Sequence, residues 1–183
     1  MPIFKNSGKG GRIMNKILIL SDNHGLTDEL VEIKKRHEVD YFIHCGDSEL
    51  DMDAPELEDF IKVAGNCDHD VRFPEEQIIE VGDLRVLIVH GHLHGVKRDL
   101  TTLSYRAEEL GAQLVCYGHT HVANAKQLHN QLFINPGSIR LPRLRPEKTY
   151  CILGWENINQ INITFYTLGG KVVNDLSYTA SLK

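Results

Sequence analysis

The chain has 183 residues, 42% of them apolar and 25% charged, which leaves room for one compact domain with a substantial core. A formal net charge of −5 argues against a long polyanion as the main partner, so nucleic acid is expected only as a substrate, if at all. Apolar runs such as Ile17–Leu20 and Val86–Val89 are four residues long, far below the roughly 18 that a membrane span requires.

Residues 1–13, MPIFKNSGKGGRI, show no apolar period and read as a leader or extension, which places the domain at 14–183. Gly8–Gly11 precedes the first strand and lacks the spacing of a phosphate-binding loop, so it receives no catalytic role. Ile17–Leu20 predicts a strand buried on both faces, and Leu26, Leu30, Ile33 and His37 follow at helical spacing. Tyr41–Cys45 predicts a second strand; Leu57, Phe60 and Ile61 suggest a short helix, and Val63–Ala64 a minimal third strand. Gln77–Val81 and Leu84–His90 flank Gly82-Asp83 as a hairpin. Leu100, Leu103, Ala107 and Leu110 mark a helix that Gly111 ends as a C-cap glycine. Leu114–Tyr117, Val122–Leu128, Gln131–Ile134, Tyr150–Trp155 and Gln160–Leu168 complete a β-rich second half. Mixed sheets covered by helices are expected.

Four cysteines (Cys45, Cys67, Cys116, Cys151) form no C-x-x-C pair and follow no secretory signal, so reduced thiols and a cytoplasmic location are expected. Polar clusters recur at predicted strand ends: Ser21-Asp-Asn-His24, Gly46-Asp47, Gly65-Asn-Cys-Asp68, His90-Gly-His92 and Gly118-His-Thr-His121. Each alone reads as a turn or a satisfied core histidine. Five together, at the carboxyl ends of strands where ligands gather, point to one site. In extended chain residues i and i+2 face the same way, so Asp22 with His24, and His119 with His121, are each expected to converge. Carboxylates, an amide and imidazoles make an oxygen and nitrogen donor set suited to Mn, Fe, Co, Ni or Zn, and seven donors are too many for one ion. Two divalent ions with one bridging carboxylate would use them all.

The ordered motifs D-x-H, G-D, G-N-C-D, H-G-H and G-H-T-H, with Asn135-Pro-Gly-Ser138, resemble the calcineurin-like metallophosphoesterase superfamily and its small prokaryotic phosphodiesterase branch of the YfcE type. The resemblance runs from about Met14 to Leu168. It implies a four-layer α/β/β/α sandwich of two mixed β-sheets flanked by helices. It also implies that Asp22, His24 and His121 hold one metal, Asn66, His90 and His119 a second, and that Asp47 bridges them. The implied reaction is hydrolysis of a small phosphate ester, foremost a phosphodiester, by a hydroxide shared between two divalent ions, manganese foremost. Where many members have a histidine that assists the leaving group, this chain has Cys67, a thiol without an imidazolium charge. His92 is the substitute donor to consider, and Asp68 is expected to orient Asn66 or a ligand histidine. The retromer scaffold subunit shares the implied fold, which leaves a catalytically weak or inactive protein-binding scaffold as the alternative. The β-rich tail and Trp155 suggest a homodimer or homotetramer.

Overall fold

The computed structural model describes residues 14–182. The expected leader at 1–13 lies outside the described residues. Eleven strands and two α-helices run in the order β1 (Asn15–Leu20), α1 (Asp28–Arg36), β2 (Tyr41–His44), β3 (Phe60–Lys62), β4 (Glu76–Val81), β5 (Leu84–Val89), α2 (Thr101–Glu109), β6 (Leu114–Cys116), β7 (Asn124–Leu128), β8 (Gln131–Asn135), β9 (Thr149–Trp155), β10 (Ile161–Thr167) and β11 (Tyr178–Ala180).

They form two mixed sheets. The first has the order β11-β10-β9-β1-β2-β3, with β1, β2 and β3 parallel; the second has the order β4-β5-β6-β8-β7, with β5, β6 and β8 parallel. Ile17 to Leu20 are all fully buried, because β1 is covered on both faces. Alternation then sorts the residues into layers. Ile17 and Ile19 meet Val86, Ile88, Leu114 and Cys116 between the sheets. Leu18 and Leu20 point the other way, onto Leu30 and Ile33 of α1. On the far side, Leu87, Val89 and Val115 pack under Leu103 and Ala107 of α2. The layers are therefore helix, sheet, sheet, helix, as the resemblance implied. The cysteines are free thiols, and Cys45, Cys116 and Cys151 are buried in the layer between the sheets. No helix of the described residues is long and apolar enough to cross a membrane.

Gly111 adopts φ +65° just past Leu110, which caps α2, the left-handed position predicted for a glycine that ends the helix. Other local expectations change. Leu57 ends a 3₁₀ turn over Pro55–Leu57, and Phe60 and Ile61 belong to strand β3 rather than to a helix. Phe60 buries its ring against Phe42 of β2, so pairing with β2 decides its conformation over the local pattern. Val63 and Ala64 lie beyond that strand. The strand expected from Val122 begins only at Asn124, because His119 and His121 turn the chain first. Trp155 is 2% exposed within the core between the sheets, so it offers no surface for a second subunit.

Candidate metal centre

Parallel strands from both sheets deliver their carboxyl ends to one edge. Asp22 and His24 follow β1, Asp47 follows β2, Asn66 to Asp68 follow β3, His90 follows β5, and His119 and His121 follow β6. The backbone there is unusual. Asp22, His24, Asp47, Glu49, His119 and His121 all have positive φ, between 43° and 68°, and they make up six of the nine such non-glycine residues described. Left-handed backbone at a non-glycine residue costs roughly 1–2 kcal/mol, and its concentration here marks a functional edge. It also corrects the extended i, i+2 geometry expected of these pairs. Asp22 and His24 converge through a left-handed turn, whereas His119 and His121 separate into different clusters.

The first cluster contains Asp22, His24, Asp47 and His121; the second contains Asp47, His90 and His119. Within each, one donor atom per residue lies within 4.8 Å of the others. Asp47 belongs to both.

The tautomers show what the clusters require. His121 Nδ1 lies 2.8 Å from the Leu141 carbonyl, and His90 Nδ1 lies 2.7 Å from the Cys45 carbonyl. A carbonyl only accepts, so each Nδ1 carries a proton and a neutral ring presents a lone pair at Nε2. Those lone pairs face acceptors: His121 Nε2 is 3.1 Å from Asp22 Oδ1, and His90 Nε2 is 3.3 Å from Asp47 Oδ2. His24 Nε2 and His121 Nε2 stand 3.3 Å apart, while His24 Nδ1 is occupied by Glu49 at 2.6 Å. Asp22 Oδ1 and His90 Nε2 are buried without a hydrogen-bond partner. Opposed lone pairs in a buried site demand a cation between them, either a proton or a metal ion. The donors fit divalent ions of the Mn to Zn series.

The metal-free electrostatics agree. Burial works against the charged form of Asp47, yet the His90 contact and the Cys67 backbone N–H, 2.8 Å from Oδ1, hold its pKa far below the usual carboxylate range. The Asp22 carboxylate, 3.1 Å from His121 Nε2, raises the His121 pKa against burial. Burial lowers that of His90, but Asp47 and Asp22 outweigh it and the net shift is upward. His119 is held down to about 4 by burial and by the charges of His90 and Lys97.

A second layer of contacts fixes the donors. Asp68 does not reach a ligand histidine or Asn66; its carboxylate accepts from the backbone N–H groups of Asp47 (2.8 Å), Glu49 (2.7 Å) and Gly65 (2.7 Å) and from the Ser48 hydroxyl (2.9 Å). It therefore ties the loop carrying Asp47 to the loop after β3. Ser138 Oγ donates to the Asp22 carbonyl at 2.7 Å, and Asn135 Nδ2 donates to the Gly118 carbonyl at 2.9 Å, so the Asn-Pro-Gly-Ser turn braces two ligand loops. His44 donates to Asn23 Oδ1 at 2.8 Å and is a buried support. Glycines are required at two crossings: a Cβ on Gly65 would lie 2.0 Å from Asp47 Oδ1, and one on Gly118 would lie 2.1 Å from Ser21 Oγ.

Three expected residues stand at the margin. Asn66 is exposed and its Nδ2 donates to Cys67 Sγ at 3.3 Å. The Cys67 thiol is pushed up to about 11 by burial and the Asp47 charge, so it stays protonated at neutral pH. His92 opens a 3₁₀ turn after left-handed Gly91, with its ring 5.4 Å from that of His90 and 6.1 Å from that of His119; burial and the His90 charge favour its neutral form. Glu49 escaped the sequence reading, although it stands two residues after Asp47 in Gly-Asp-Ser-Glu. It orients His24 and forms a further donor group with His24 and Cys67.

Comparison with known proteins is consistent with this geometry. Residues 15–157 match the calcineurin-like phosphoesterase superfamily domain. The protein named "Probable metallophosphoesterase YsnB" of Bacillus subtilis is 48% identical over 168 residues, which cover 91% of this chain and 99% of the relative. A predicted phosphoesterase of known structure from Streptococcus pneumoniae superposes with a TM-score of 0.88 at 34% identity, covering 92% of this chain and 98% of that one. Vacuolar Protein Sorting 29 from Cryptosporidium parvum shares the fold alone, at 19% identity and a TM-score of 0.72, with 91% and 97% covered. Domain match, sequence identity and superposition agree: the chain belongs to the calcineurin-like phosphoesterase superfamily.

Proposed function

We propose that the chain is a metal-dependent phosphodiesterase with a dinuclear centre in which Asp47 is shared between two ions. The membership of Asp47 in both donor clusters carries this reading. Asp22, His24 and His121 would hold one ion, and His90, His119 and the Asn66 carboxamide the other, with manganese the first metal to test. Bound divalent ions supply Lewis acidity toward phosphoryl oxygens and bring a solvent nucleophile within reach of neutral pH. The protein's part is preorganisation. Carbonyl partners of His90 and His121 fix both tautomers, Glu49 fixes His24, and Asp68 locks the loop that presents Asp47. Asn66 and Cys67 sit at the mouth, where the carboxamide N–H can donate to a phosphoryl oxygen and the neutral thiol adds no charge beside the leaving group.

The test is hydrolysis of bis-p-nitrophenyl phosphate by chelator-stripped protein. Turnover is expected only after Mn²⁺ is restored. Turnover that survives chelation would contradict the metal mechanism, and none with bound Mn²⁺, Ni²⁺ or Zn²⁺ would favour the scaffold reading. The enzyme reading is preferred because Asp22 Oδ1 and His90 Nε2 are buried without a hydrogen-bond partner in two adjoining donor clusters that share Asp47.

Position 67 gives a second test. A monoester carries one more negative charge than a diester, and an imidazolium in place of a neutral thiol favours it. Cys67→His is therefore expected to move the kcat/KM ratio of p-nitrophenyl phosphate to bis-p-nitrophenyl phosphate toward the monoester by roughly tenfold, equivalent to about 1.4 kcal/mol. An unchanged ratio would place residue 67 away from the reacting phosphate.

A further inference from the structure

Beside the metal centre runs a groove of about 530 Å³ between residues 96–100, the stretch from Tyr117 to Lys126, and Arg143-Leu144. Its walls carry Lys97, Arg98, Lys126 and Arg143 against a single acid, Asp99. Arg98 pairs with Asp99 at 2.9 Å. Lys97, Lys126 and Arg143 are exposed, and among the described residues no carboxylate lies within 4.0 Å of their side-chain nitrogens. Three unneutralised cations facing one cavity are out of keeping with a chain of net charge −5. Their field is focused there and favours an anion.

The groove is continuous with the donors. Thr120, which lines it, stands between His119 and His121. The Arg143 backbone N–H donates to the His121 carbonyl at 3.0 Å. The remaining lining sets apolar Val96, Leu100, Val122 and, at the lip, Leu144 beside polar Thr120 and Asn124. Leu144 is 91% exposed with φ +64°, an arrangement that favours neither its own burial nor its backbone. A cationic cleft with an apolar wall suits a phosphate attached to a carbon skeleton.

We propose that this groove binds a second phosphate of the substrate, so that the substrates are phosphodiesters carrying a further phosphate group on the organic moiety. The inference rests on the phosphodiesterase reading above. Its probes are thymidine 5′-(p-nitrophenyl phosphate) with and without a 3′-phosphate, compared on the metal-loaded protein. The 3′-phosphorylated ester is expected to show a kcat/KM at least about tenfold higher, as charge-assisted hydrogen bonds to phosphate provide. The variant Lys97→Gln/Lys126→Gln/Arg143→Gln is expected to erase that preference while hydrolysing bis-p-nitrophenyl phosphate within about twofold of wild type. No preference in the wild type, or a preference that survives the triple substitution, overturns the proposal.

Calorimetric titration of the metal-free full chain with thymidine 3′,5′-bisphosphate decides the matter independently of turnover. The proposal expects binding that weakens roughly tenfold in the triple variant and falls with added salt. Equal binding by both proteins overturns it. Inorganic pyrophosphate binding as tightly as the bisphosphate would assign the groove to free inorganic phosphates, against the proposal. If none of the esters turns over but the bisphosphate binds through the three cations, the catalytic reading fails and the anion site stands.

Discussion

Asp47→Asn is expected to lower hydrolysis of bis-p-nitrophenyl phosphate by about three orders of magnitude. The substitution preserves shape: a carboxamide oxygen can still accept the Cys67 backbone N–H that now reaches Oδ1 at 2.8 Å. What it removes is charge, from the one residue common to both donor clusters. A single electrostatic group acting at the transition state is worth roughly 10²–10³ in kcat, and loss of a shared ligand affects both ions at once. The fold is expected to survive, because Asp68 holds the loop through backbone N–H groups that the substitution leaves in place. Asp53→Asn, at an exposed carboxylate paired with Arg72, serves as the control and should leave turnover unchanged. Full activity in Asp47→Asn would remove the shared carboxylate from the mechanism.

The second large effect is on stability. Without metal, the edge holds lone pairs against carboxylate oxygens at 3.1 and 3.3 Å, a repulsion relieved only by protonation or by a cation. A ligand that binds the native state alone stabilises it by about 2.7 kcal/mol at a hundred times its dissociation constant. For a domain of this size that corresponds to a rise in Tm of roughly 5–10 °C per site. The rise should depend on pH. His90 and His121 have raised pKa values in the metal-free fold. Such groups stabilise the metal-free protein fully below the unfolded-chain value near 6.5, and that contribution is lost as the pH climbs through the raised values. Metal binding needs the same rings deprotonated. Both effects act in one direction, so the Mn²⁺-induced rise in Tm should be larger at pH 8 than at pH 6. Thermal unfolding of chelator-stripped protein, with and without Mn²⁺ at each pH, measures it. A rise of equal size at both would exclude these imidazoles as ligands.

The candidate donors are legible in the sequence because the chemistry is local: Asp22-x-His24, Gly46-Asp47, His90 and His119-x-His121 each follow an apolar strand, and apolar runs are easily read. The layers followed from the same runs, since Ile17–Leu20 is apolar throughout only if both faces are covered. The backbone that brings these donors together was not legible. Extended chain was expected, but a left-handed φ at an aspartate or histidine is imposed by neighbours distant in sequence, such as the Asn135 and Ser138 contacts to Gly118 and Asp22. The same holds for Phe60, whose strand exists through pairing with Phe42. The partners of Asp68 differ from those expected because three of its four hydrogen bonds come from backbone N–H groups, which carry no residue identity. Glu49 could have been found by asking what would fix the tautomer of His24, a requirement of any ligand histidine.

The most direct test of the shared-carboxylate centre is the metal content of the protein. Chelator-stripped wild type and Asp47→Asn would be reconstituted with Mn²⁺, desalted and measured by elemental mass spectrometry. Two ions per wild-type chain and at most one per Asp47→Asn chain is the predicted result. A single ion in the wild type, or two retained without the Asp47 carboxylate, would contradict it.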